Sequence, residues 1–112
     1  MKLNRIKVTN IEMTDAIRTA VETEFESLQP MAARFNGAAS ADVEVGKTTE
    51  HHHKGEIFRA EINLSIPGKL LRAEADDKDL YIAIKHAVKH MHTELAKEKD
   101  KHDDAKQHGS QE

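Results

Sequence analysis

At 112 residues the chain has room for one domain with a modest core, and it has no cysteine, which excludes disulfides, thiolate zinc sites and thiol catalysis. Its 17 lysines and arginines stand against 20 aspartates and glutamates, and the formal net charge of −3 lacks the basic surplus usual in nucleic-acid binders. No apolar run approaches a bilayer span and the stretch Met1–Ile6 lacks the apolar core of a secretory signal, so a cytoplasmic protein without a membrane partner is expected.

The first element is a short strand around Leu3 to Val8. A helix follows: Thr14 suits the N-cap, Asp15 the first turn, and Ile17, Val21, Phe25 and Leu28 recur at helical spacing until Pro30 limits it. Met31 to Ser40 reads as a loop. A second strand runs from Ala41 to Lys47, with Val43 and Val45 on one face and Asp42 and Glu44 on the other. Thr48 to Gly55 reads as another loop.

The clearest strand is Ile57 to Ile66, where Phe58, Ala60, Ile62, Leu64 and Ile66 share one face and Arg59, Glu61, Asn63 and Ser65 the other. Pro67-Gly68 suits the central positions of a type II turn, after which Leu71, Ala73 and Ala75 resume the inward face, so the two runs make a β-hairpin. After the capping signal Asp76-Asp77, the stripe Leu80, Ile84, Ala87, Val88, Met91 and Leu95 predicts a helix of roughly 20 residues. Beyond Asp100 the stripe stops, and residues 102–112 form a polar tail expected to be disordered.

The order β-α-β-β-β-α, with one apolar face per strand and one apolar stripe per helix, predicts an α+β two-layer sandwich. In it, one four-stranded sheet carries both helices on the same face. The helix link permits a parallel first pair, and the remaining links suit antiparallel pairing. One α/β domain over residues 1–101 is expected.

The charges divide the helices. The first is acidic, with Glu12, Asp15, Glu22, Glu24 and Glu26 against Arg18. On the second, Lys78, Lys85, Lys89, His92 and Lys99 follow one another along one side, and His86, His90, Lys97 and Lys101 along an adjacent side. Such a face can track a polyanion through phosphate neutralisation. It can equally be a solvated helix surface, since Glu94, Glu98 and Asp100 interrupt it and Glu94 can pair with Lys97.

Eight histidines raise the question of a metal. His51-His52-His53 sit next to one another on a loop segment, and adjacent side chains diverge, so they do not by themselves build a tetrahedral site. His86 and His90 share a helix face, but no glutamate lies between them and the metalloprotease pattern is absent. With no nucleophile elbow and no glycine-rich phosphate loop, neither a metal, another cofactor, a small-molecule substrate nor an enzymatic activity is expected.

Four segments carry a family resemblance. Met13-Thr14-Asp15-Ala16-Ile17-Arg18 opens the first helix, Arg59-Ala60-Glu61-Ile62-Asn63-Leu64 and Leu71-Arg72-Ala73-Glu74-Ala75 form the hairpin, and Asp79-Leu80-Tyr81-Ile82-Ala83-Ile84 leads into the last helix. In order and spacing these resemble the short ribosome hibernation-promoting factors, also known as ribosome-associated inhibitor A or sigma-modulation proteins, over residues 1–101. The resemblance implies a stress or stationary-phase factor. It would act as a monomer on the 16S-type rRNA of the small ribosomal subunit, in the channel for messenger and transfer RNA.

By the same resemblance Arg18, Lys97, Lys99 and Lys101 match basic positions of the RNA-binding surface, Lys85 and Lys89 are this chain's own cations on the same helix, and His90, at a usual lysine position, is the seventh expected contact. The chain departs from the family pattern at Glu24 and Ser27, which stand where a basic residue is common, at His90 for a lysine and at Thr93 for an arginine. These departures remove positive charge where phosphate contact would be strongest. A protein-binding regulatory module on the same fold, using the acidic first helix and the mixed sheet face, is the competing expectation.

Overall fold

The computed structural model describes the backbone of residues 1–35, 39–48 and 55–110, with side chains as far as residue 101. The histidine run 51–53 and most of the expected 48–55 loop lie outside the described residues, as do 111–112. Four strands, β1 (Lys2–Thr9), β2 (Ser40–Lys47), β3 (Phe58–Ile66) and β4 (Lys69–Asp77), form one sheet in the order β1-β2-β3-β4. β1 pairs with β2 in parallel, and the other two pairs are antiparallel. The main helices are α1 (Asp15–Phe25) and α3 (Leu80–Ser110), separated in the chain by a single helical turn, α2 (Gln29–Ala32).

The core lies between the sheet and the helices. Val43, Val45, Ala60, Ile62, Leu64, Leu71 and Ala73 point to it from the strands, Ile17, Val21 and Phe25 from α1, and Ala83, Ile84, Ala87, Val88, Met91 and Leu95 from α3. This is the two-layer arrangement that one-sided strands impose. In β1 the inward residues are Leu3, Ile6 and Val8, and the odd step from Leu3 to Ile6 would reverse the face in a regular strand. A register shift between Leu3 and Arg5 absorbs it, so that Leu3 opposes Ala41 and Ile6 opposes Val43. The Pro67-Gly68 turn joins β3 to β4, with Gly68 at a φ of 78°, as the second central position of a type II turn requires.

The helix termini differ in part from the sequence reading. Thr14 caps α1 as expected, its Oγ1 accepting from the Ile17 amide at 3.1 Å. Pro30 does not end the helical region: after a 3-10 turn at Glu26–Leu28 it sits in the first turn of α2, where the missing amide proton costs nothing. Ala33–Phe35 then adds another 3-10 turn, so the first half of the expected 31–40 loop is helical, with Ala32 buried and Met31 and Phe35 packed on the core.

The cap of α3 is Asp79 rather than the Asp76-Asp77 pair, which closes β4. Its Oδ1 accepts from Tyr81 N at 2.8 Å and Ile82 N at 3.3 Å, while Asp77 Oδ2 accepts from Asp79 N. The helix also continues to Ser110, beyond the roughly 20 residues that the apolar stripe predicts. Once a helix is nucleated, each added residue needs only its own hydrogen bond, and Lys, Ala and Gln between 101 and 107 have high helix propensity.

Where β3 and β4 meet α3, Lys69 Nζ donates to Glu98 Oε1 at 2.6 Å. That hydrogen bond holds the Glu98 carboxyl below the usual carboxylate range and Lys69 above the usual lysine value, and Lys101 adds to the effect on Glu98. A lowered carboxylate contributes stability above its unfolded pKa and loses it as pH falls through the folded value; the raised lysine contributes below its unfolded pKa and loses it as pH rises through the folded one. Lys69→Ala is therefore expected to remove part of the acid-side slope of stability, checked by thermal unfolding at about pH 7 and about pH 3. Leu64→Ala, at a fully buried site on β3, should lower unfolding free energy by about 2–5 kcal/mol in urea titration. A Cβ at Gly46 would overlap the Thr9 carbonyl on the neighbouring strand, so Gly46→Ala should cost about 1–3 kcal/mol in the same assay.

Candidate nucleic-acid interface

On β3 and β4 the open face of the sheet is charged, and its two arginines are paired within that face. Arg59 lies opposite Asp76 in the β3–β4 register and binds its carboxylate in a bidentate fork, at 2.7 and 2.9 Å. Arg72 reaches Glu61 at 3.0 Å, Asn63 donates to the same carboxylate, and Thr9 donates to Glu44 at 2.6 Å. Exposed pairs of this kind add little stability. They do, however, leave the guanidinium groups of β3 and β4 engaged with carboxylates of the same face.

The helical side is different. His92 lies against the helical segment that follows α1: its Nε2 is 2.9 Å from Ser27 Oγ in the 3-10 turn Glu26–Leu28, and its Nδ1 is 2.9 Å from Met31 Sδ in α2. This contact fixes which side of α3 faces α1. Lys85 is seven residues before His92, Lys89 three before and Lys99 seven after, so all three share that side. Among the described residues none of the three has a carboxylate in ion-pair reach. Lys85 and Lys89 are exposed, and Lys99 is half-buried. Ser27, in the 3-10 turn after α1, meets this side of α3 through His92, and Glu24 lies three residues before it, its carbonyl accepting from Ser27 Oγ.

The remaining candidates from the sequence are placed apart. The ring of His90 meets the Glu74 carbonyl at 3.0 Å, on the outer edge of β4. Lys97 and Lys101, seven and eleven residues further on, share this β4-facing side. Lys97 lies 3.6 Å from Glu94, and Lys101 lies 3.5 Å from Glu98, a carboxylate that also takes Lys69. Arg18 is exposed on the first helix with no ion pair among the described residues, and it precedes Ser27 by nine residues, about half a turn away around the helical segment. The seven candidates thus fall into a cluster of lysines in the groove where α3 meets the first helical segment, a paired group beside β4, and Arg18 by itself.

The bridging role of His92 had no local signal, because Ser27 and Met31 lie 65 and 61 residues away. The two-sided division of the basic residues was readable from spacing, but which side met α1 was not. Among the described residues no group of three or more histidine, aspartate or glutamate side chains converges to hold a metal ion, and no helix is long and apolar enough to cross a membrane.

The fold and sequence have clear relatives. The chain is 32% identical over 101 residues to the ribosome hibernation promoting factor of Klebsiella oxytoca, covering 90% of this chain and 96% of that one. It is 26% identical over 110 residues to the ribosome hibernation promotion factor of Deinococcus radiodurans, spanning 97% of this chain and 55% of that longer protein. In three dimensions it matches the N-terminal domain of Protein Y from Thermus thermophilus with a TM-score of 0.62 at 32% identity, over 85% of this chain and 96% of that one. A ribosomal subunit interface protein from Coxiella burnetii shares the fold, with a TM-score of 0.68 at 18% identity over 89% and 99% of the two chains. A family model matches residues 5–103, and the chain belongs to the sigma 54 modulation protein / S30EA ribosomal protein family.

Proposed function

We propose that this protein is a ribosome hibernation factor that binds small-subunit 16S-type rRNA in the messenger and transfer RNA channel under stress or in stationary phase. It acts in the cytoplasm, as a monomer, by occupying that site rather than by catalysis. The observation that carries this reading is the row Lys85, Lys89 and Lys99, which has no carboxylate in ion-pair reach among the described residues and lies on the side of α3 that His92 turns toward α1 and the turns after it. Unpaired cations on a rigid helix contact phosphates without first breaking an internal ion pair, and each contact releases condensed counterions. Lys97, Lys101, His90 and Arg18 are a secondary ring of contacts, of which the first two must exchange Glu94 and Glu98 for phosphate. Family membership and the hibernation-factor relatives support the choice of the ribosome as partner.

The acidic exposure of α1, with Asp15, Glu22 and Glu26 all outward, favours a second reading in which the domain docks on a protein with no RNA involved. Co-sedimentation with purified small ribosomal subunits separates the two. The wild-type protein is expected to bind saturably at low salt and to weaken as salt rises. Lys85→Ala/Lys89→Ala/Lys99→Ala should lower affinity and reduce the slope of log affinity against log salt by about 2–3, since each lost phosphate contact removes about 0.7–0.9. Lys97→Ala/Lys101→Ala should have the smaller effect. A folded wild-type protein that does not sediment with subunits at low salt would instead put the protein-docking module first.

A further inference from the structure

Two large apolar side chains stand adjacent and bare at the first turn of α3: Tyr81 is 47% exposed and Ile82 41%, where apolar residues of this size are otherwise packed, Leu70 apart. Tyr81 precedes Lys85 by four residues and Lys89 by eight, so its ring continues the groove-facing side of the helix toward its N-terminal end, at about 6 Å of axial rise per step. Beside the ring is a shallow concavity lined by Ile11, Ile17, Phe58 and Leu80, with Lys78 on its rim. Asp79 also borders it, but its carboxylate is engaged by the Tyr81 and Ile82 amides as the helix cap.

An exposed aromatic ring at the end of a row of unpaired lysines provides both halves of single-strand recognition: phosphate neutralisation along the row, and a flat apolar face for one base. A duplex keeps its bases stacked and offers such a ring nothing to stack on. We propose that Tyr81 is a stacking platform for an unpaired base of single-stranded RNA whose phosphates run along Lys85 and Lys89. This rests on the RNA reading above and specifies its substrate as an unpaired rather than a helical segment.

Tyr81 is the chain's one tyrosine and there is no tryptophan, so tyrosine emission reports this ring alone. The probe is a single-stranded oligoadenylate of about 12 nucleotides, with binding followed independently by the anisotropy of an end-labelled copy. Emission should be quenched in step with binding by the single strand and left unchanged by an RNA duplex of equal length. Tyr81→Leu, which keeps apolar bulk, should bind the single strand about ten-fold or more weakly, and Tyr81→Phe should bind like the wild type. Unquenched emission at saturation, with Tyr81→Leu binding as tightly as wild type, would overturn the platform. The lysine reading would still stand in that case if the Lys85/Lys89/Lys99 triple variant lost affinity. No binding of the single strand by the wild-type protein at low salt would overturn the platform and count against the RNA reading with it.

Discussion

Each strand of this domain offers one apolar face, in β1 by way of a register shift, so the apolar area of the sheet lies on one side, and α1 and α3 must share that side to bury their own stripes. Sharing forces the helices against each other. Once Ile17, Val21 and Phe25 are buried from α1 and Ile84, Val88, Met91 and Leu95 from α3, the polar flanks of the helices meet in a groove. The contact of His92 with Ser27 and Met31 is a product of that meeting, and it marks the side of α3 that faces the first helical segment. The placement of Lys85, Lys89 and Lys99 follows from core packing, with no dedicated loop needed to assemble them.

A net charge of −3 is uninformative here because the charges are distributed unequally between the two surfaces. On the open face of the sheet Arg59 and Arg72 are matched by Asp76 and Glu61. On α3, Lys97 and Lys101 are matched by Glu94 and Glu98, while Lys85, Lys89 and Lys99 have no such match among the described residues. Association with a polyanion depends on the local field, and cations already neutralised by a neighbour contribute little to it. Glu24 and Ser27 add no cation on the side of the first helical segment that meets His92, so the cations of the proposed surface come from α3. Ser27 has a structural use in its place, as partner to His92.

Most of the fold was legible in the residues. Strict alternation in β3, the Pro67-Gly68 turn and the Thr14 cap each have a local physical cause, and each is found where the sequence puts it. What escaped were features settled by competition between local signals. Pro30 reads as a terminator but also suits a first helical turn, and packing of Ala32 and Met31 selects the latter. Three aspartates compete to cap α3, and the one nearest the helix succeeds because the other two are held in β4. The bulge in β1 shows no compositional mark, since it exists to reconcile the spacing of Leu3 and Ile6 with the register against β2. The candidate site was legible as two rows of basic residues, but its pairing state was only half so: Glu94 with Lys97 is a three-residue step along one helix, whereas Lys69 with Glu98 spans 29 residues.

The central claim is that the groove-facing row of α3 meets the ribosome. Lysine acylation read by mass spectrometry, on the free protein and on its complex with small ribosomal subunits, tests it residue by residue. Lys85, Lys89 and Lys99 are expected to be strongly protected in the complex, Lys97 and Lys101 more weakly, and Lys7 on the far edge strand to label equally in both states. Equal labelling of the three groove lysines in both states, with protection moved to the sheet face, would contradict it.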